Sequence, residues 1–201
     1  MDTRERIVTE ARELFLREGL EGFSMRALGE RVGVSAPALY RHFDDKDALL
    51  ATLIDGSFST FSSYLVRALS GKTPLERFRR TGEAYFAFAL AHPRDYRLMF
   101  ITDCRELGFV RISEEIQDRA LGTFRFLVDR VKECMDSGLF QAGDPLPVAL
   151  NVWSQTHGLA SLWLLGNLEG RLDEAGFRAQ VSLCLDSIEL CLRSREAPLR
   201  Q

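Results

Sequence analysis

The chain has 201 residues, a net charge of −3, 46% hydrophobic and 27% charged residues. That length allows one large domain or a small one joined to a larger one, and the hydrophobic share supplies a real core. The charge excludes a polycation. Residues 1–47 alone hold eight arginines and lysines against ten carboxylates, so any nucleic-acid binding depends on where the cations stand.

Apolar residues recur at spacings of three and four almost throughout, and no Asn-Gly or Asp-Gly hairpin joins alternating runs. The chain is therefore expected to be all-α. The first helix starts at Asp2, where Glu5 completes a capping box. Ile7, Ala11, Leu14 and Phe15 form its apolar face and Gly19 ends it. The second is capped by Ser24, turns Met25, Leu28 and Val32 inward and stops at Gly33. The third is capped by Ser35, with Pro37 in its first turn, where a missing N–H costs nothing. A long fourth helix runs from Asp44-Asp45 to about Leu69. Thr73-Pro74-Leu75-Glu76 opens a fifth, His92-Pro93 breaks it, and a short sixth reaches about Ile101. Three more are expected from Ser113 to Gly138, from Asp144-Pro145 to Gly166 and from Asp173 to Arg193, with a frayed tail beyond.

Cys104, Cys134, Cys184 and Cys191 form no C-x-x-C pair and no zinc spacing, so they read as reduced, buried thiols. Charge begins at once with Asp2, Arg4 and Glu5, and no apolar run approaches a membrane span. A soluble cytoplasmic protein without membrane partners is expected. No dinucleotide, P-loop, metalloprotease or nucleophile-elbow motif is present, and the three histidines are scattered. No catalytic residue, cofactor or metal is expected.

The second and third helices, joined by Gly33-Val34, have the spacing of a helix-turn-helix, which places a helix in a DNA major groove. Ser35, Ala36, Ala38, Tyr40 and Arg41 can face outward while Leu39 and Phe43 face in. Ala36 and Ala38, beside Pro37, are small enough for close approach, and their methyls can touch thymine. Tyr40 and His42 can reach phosphates, and Arg41 can read guanine or hold a phosphate. Helix starts favour phosphate oxygens, which gives roles to Ser24, Arg26 and Lys46. Plain alternatives stay open: capping for Ser24 and Ser35, core packing for Tyr40, a solvated side chain for Lys46.

Residues 3–50 resemble the DNA-binding domain of the TetR family of bacterial regulators. The resemblance rests on Phe15 through Gly19, Ser24, Gly33-Val34-Ser35, Leu39-Tyr40-Arg41-His42-Phe43, Lys46 and Leu49-Leu50. Leu28-Gly29 departs from the family's usual Ile-Ala. A glycine there costs roughly 1 kcal/mol against alanine, and it either loosens the head or lets the third helix come closer. More loosely, Trp153 through Leu159, with Ala91-His92-Pro93 before it, resembles the C-terminal variant named for a Trp/His/Gly signature. The resemblance implies a homodimer through the last two helices, a pocket in each subunit and repression relieved by a small molecule.

The last two long helices are apolar on more than one face, which independently suits a two-fold four-helix seam. Aromatics cluster in the middle helices. They are core or the wall of a cavity for an apolar or aromatic effector, with Phe61, Tyr85, Phe88, Phe100, Phe124 and Trp153 as candidates. His157, one turn after Trp153, either bonds a ligand or is a satisfied core histidine. The expected organisation is a helix-turn-helix domain over 1–46 and a helical ligand-binding and dimerisation domain over 47–201, about nine helices in all. The expected function is a repressor released from a palindromic operator in double-stranded DNA by a small effector. A tilt of the fourth helix passes the signal, and a coupling of about 1–3 kcal/mol suffices. The alternative is a constitutive or protein-partnered DNA-binding regulator.

Overall fold

The computed structural model describes residues 2–101 and 114–194. The expected helix start at Ser113, Cys104 and the tail beyond Ser194 lie outside the described residues. Nine α-helices are described: α1 (Thr3–Gly22), α2 (Met25–Val32), α3 (Ala36–Leu39), α4 (Lys46–Arg67), α5 (Pro74–Ala91), α6 (Pro93–Phe100), α7 (Glu114–Asp136), α8 (Pro145–Leu164) and α9 (Glu174–Leu192). A 3₁₀ turn, Ala68–Ser70, follows α4. No strand occurs among the described residues beyond an isolated bridge between Phe140 and Arg193. Among the described residues, no helix is long and apolar enough to cross a membrane.

Local chemistry sets the starts. Ser24 Oγ accepts from the Ala27 amide, Thr73 Oγ1 from Glu76, Asp144 from Leu146 and Asp173 from Gly176. Pro74 and Pro145 sit in first turns, where no amide is needed. Glu5 reaches back to the Asp2 amide at 3.0 Å, the second half of a capping box. Gly19, at φ 67°, breaks the helical path within α1. The expected cap on α3 is corrected. Ser35 occupies the N-cap position, but its hydroxyl makes no capping bond.

The described residues fall into two compact units, Met1–Ser59 with Arg94–Ala120, and Thr60–Pro93 with Leu121–Gln201. The unit that carries the head thus extends past residue 46 to the first part of α4, α6 and the start of α7. In it Ile7, Leu28, Leu39, Leu49, Leu50 and Leu53 are wholly buried, and Leu98 and Ile116 belong to the same cluster. Burial of this kind is worth roughly 1.5–3 kcal/mol per large side chain. In the second unit Phe78, Val131, Cys134, Phe140, Val152 and Ile188 join α5, α7, α8 and α9. Burial, with help from the Glu133 charge, pushes the Cys134 thiol up to about 12. The reading of buried cysteines holds for Cys134, but Cys184, at the edge of the same cluster, is half-buried and Cys191 is exposed.

Candidate functional site

The turn after α2 is built on two glycines. Gly33 is left-handed (φ 76°, ψ 32°), and both its amide and that of Val34 donate to Gly29 O at 2.9 Å. The chain doubles back so tightly that a Cβ on Gly29 would stand 2.8 Å from Val34 O and 3.4 Å from Ala36 N. The glycine in place of the family's alanine therefore serves close approach of α3. Turn bonds carry the chain on to Phe43, whose amide donates to Leu39 O at 3.1 Å. Leu39 and Phe43 are buried and anchor the segment. Ser35, Pro37, Tyr40, Arg41 and His42 are exposed, and Ala36 and Ala38 half-buried. Tyr40 keeps 49% of its surface, which sets aside the core reading for that ring.

Around this face, Arg26 is exposed and stands 4.0 Å from Glu30. Lys46 Nζ lies 5.5 Å from the Phe23 ring centre, and the Asp45 carboxylate next to it caps the Ala48 amide at 2.7 Å. Four other cations of the head are engaged inside it. Arg6 donates to Val32 O at 2.7 Å, Arg17 to Glu18 at 2.6 Å, and Arg31 to Glu10 and Glu13. Arg12 reaches Asp95 and Ser57.

Of the seven ligand candidates, six lie in the second unit and touch in series. Phe61 packs on Tyr85 (5.7 Å between ring centres) and Phe88 (4.9 Å). Tyr85 Oη is 3.0 Å from His157 Nδ1, and Trp153 links His157 to Phe124. Phe100 belongs to the first unit, against Phe58 and Tyr96. Desolvation lowers the His157 pKa and favours the neutral ring, which has one donor and one acceptor. The acceptor and donor needs of that ring are met by Tyr85 and by Ser161, whose hydroxyl is 3.4 Å from Nε2. A second such pair joins Tyr64 Oη to His92 Nε2 at 3.2 Å, next to Phe88. An open groove of about 260 Å³ lies elsewhere in this unit. Phe86, Leu90, Val181, Leu185, Arg79 and Arg178 are among the residues that line it.

Residues 7–53 match the model of bacterial regulatory proteins of the tetR family, and residues 78–183 match a tetracyclin repressor-like C-terminal domain. The chain belongs to the TetR family. The matched models are those of bacterial regulatory proteins, and the relatives are named as transcriptional regulators, not as enzymes. It is 27% identical over 202 residues to the HTH-type transcriptional repressor KstR of Mycolicibacterium smegmatis, covering 98% of this chain and 90% of that one. It is 31% identical over 103 residues to the HTH-type transcriptional activator FasR of the same organism, 51% of this chain and 47% of that one. The chain thus spans about half the length of FasR. A solved structure of a protein of unknown function from Rhodococcus sp. RHA1 superposes with a TM-score of 0.82 at 26% identity, covering 96% and 97% of the two chains.

Two features of this TetR-family regulator escape sequence reasoning. Arg12, Ser57 and Asp95 meet from three helices, and no local signal pairs residues so far apart. Arg4 is the other, since nothing in its sequence neighbourhood links it to Phe43. Its guanidinium lies 4.9 Å from the centre of the Phe43 ring, at the end of the turn that follows α3.

Proposed function

We propose that the protein is a repressor that binds a palindromic operator as a homodimer and releases it when a small apolar or aromatic effector enters the second unit. The observation that carries DNA recognition is the exposed row Ser35, Pro37, Tyr40, Arg41 and His42 on the buried anchor of Leu39 and Phe43. Phosphate roles for Ser24, Arg26 and Lys46 and thymine contact by Ala36 and Ala38 belong to the same reading. Full-length similarity to a protein named a repressor supports the sign of regulation. A DNA-bound regulator works where the chromosome is, so the proposed location is the cytoplasm.

Dimerisation is supported by bare leucines on the last two helices. Leu150, Leu162, Leu183 and Leu190 are all exposed, Leu190 by 73%. Large apolar side chains repeated along a helix face mark an interface. Two heads about one helical turn apart then read a palindrome. Phe61, Tyr85, Phe88, Phe124, Trp153 and His157 are the proposed effector residues. Continuity of α4 from Lys46 to Arg67 supports its role as transmitter. Inserting two glycines near Asp55 uncouples effector response from DNA binding; an unchanged response excludes this route.

A second reading, a regulator without a small-molecule effector, is favoured by the direct ring contacts among Phe61, Tyr85 and Phe88, which fill their own space. The deciding experiment captures genomic fragments with purified protein and sequences them. One palindrome near a promoter supports the operator reading, and its position relative to the promoter reports the sign of regulation. Small molecules extracted from the same preparation then separate the two readings. No enrichment over random DNA overturns the first.

A further inference from the structure

We propose that Arg4, on the first turn of α1, is a further DNA contact, holding a backbone phosphate beside the recognition segment. The inference rests on the DNA-binding reading of the head and adds a residue from outside the helix-turn-helix.

The head has more carboxylates than cations, so phosphate binding falls to whichever cations are not already engaged. Arg6, Arg12, Arg17 and Arg31 donate to protein oxygens. Arg26 keeps a long contact to Glu30. Among the described residues, no carboxylate lies within ion-pair distance of Arg4 or Arg41. Glu5, the neighbour of Arg4, is turned to the Asp2 amide, and Asp45 to the Ala48 amide.

Arg4 is exposed, and one ring contact places its charge. The guanidinium stands 4.9 Å from the centre of the Phe43 ring, and Phe43 itself is 4% exposed and bonded back to Leu39. Phe43 directly follows Tyr40, Arg41 and His42, so the ring seats the charge of Arg4 at the end of the exposed row. Cation–π attraction uses the charge and leaves the planar N–H fork for a further acceptor. Planar, two-pronged recognition suits a phosphate. Arg4 belongs to α1 and not to the helix that reads base edges, so the contact is independent of sequence.

The test is binding of full-length protein to labelled duplexes of several mixed sequences, read by fluorescence anisotropy between about 50 and 200 mM salt. Arg4→Gln keeps a stem over Phe43 and removes the charge. It weakens binding to all duplexes alike and lowers the slope of log K against log salt by about 0.9 per head. Arg4→Lys keeps the slope. Arg17→Ala, which removes a cation paired with Glu18, also keeps it. A wild-type slope in Arg4→Gln, where Arg41→Ala lowers it, overturns the role of Arg4 and leaves the head a DNA binder. A changed preference among the duplexes overturns the phosphate assignment. Failure of wild-type protein to bind any duplex overturns the DNA-binding reading itself, and this one with it.

Discussion

Arg12 and Asp95, 83 residues apart in the chain, form an ion pair inside the first unit. The carboxylate also accepts from Ser57 Oγ at 2.6 Å, and Arg12 donates to Ser57 at 3.2 Å and to Leu53 O at 3.3 Å. Three helices, α1, α4 and α6, thus share one polar knot among leucines. Ser57 is fully buried and Asp95 nearly so. Gly56 makes room for it, because a Cβ there would stand 2.7 Å from Arg12 Nη2. Such a group fixes a unique arrangement only while every partner is present.

Removal of one partner is accordingly costly. Asp95→Asn leaves the Arg12 charge half-met and is expected to lower stability by about 2 kcal/mol, less than for a wholly buried pair because Arg12 keeps some solvent. In a chain of this size that lowers the Tm by about 4–8 °C. Ser57→Ala costs about 1 kcal/mol. Urea unfolding of both single variants and the Asp95→Asn, Ser57→Ala double gives the coupling. Strictly additive losses would show that the three groups do not act together.

Glycine-to-alanine changes should have opposite signs at two helical sites. Gly122 in α7 has open space around a Cβ, so Gly122→Ala stabilises by roughly 0.5–1 kcal/mol. Gly29→Ala brings a methyl against Val34 O and must push Val34-Ser35 away from α2. It destabilises, and it weakens DNA binding because the start of α3 moves. Thermal melts of both proteins check this, and stabilisation by both would dismiss the close approach.

The two serines of the head separate capping from DNA contact. Ser24→Ala loses a formed cap and about 1 kcal/mol of stability. Ser35→Ala loses no capping bond, so its stability stays near wild type, and any effect appears in operator affinity. A stability loss at Ser35 equal to that at Ser24 would refute the assignment.

His157 gives a pH signature. Burial holds its pKa below the ordinary 6.5, so the folded protein binds fewer protons than the unfolded chain once pH falls past that value. The stability is fully present above about 6.5 and declines as pH drops toward the lowered folded value. His157→Gln keeps a hydrogen-bonding side chain and removes this decline. Melting between about pH 7.5 and 5.5 is the measurement, and equal pH dependence in the two proteins would assign the decline to other groups.

Helix boundaries were legible because caps are local. Ser24, Thr73, Asp144 and Asp173 each act within three residues. Ser35 shows the limit of that logic, since residue type and position match but the hydroxyl points to no amide of α3. The buried anchors Leu39 and Phe43 followed from periodicity. Arg12 with Asp95 did not, because nothing in either neighbourhood names a partner from another helix. Gly29 was visible as a departure, but its sign required the path of Val34. Phe100 looked like its fellow aromatics, and composition carries no address that would have placed it with Phe58 and Tyr96.

The pairing of charges within the head has a consequence for how such a protein searches a genome. Sequence-independent affinity comes almost wholly from cations placed against phosphates. A head that pairs Arg6, Arg12, Arg17 and Arg31 with its own oxygens draws that affinity from about half of its cations. On the proposed reading, a head with fewer free cations dwells more briefly on random chromosome than one with all eight, and fewer copies are lost to the excess of wrong sites. Occupancy of the right site then depends on the ratio of right to wrong binding more than on copy number.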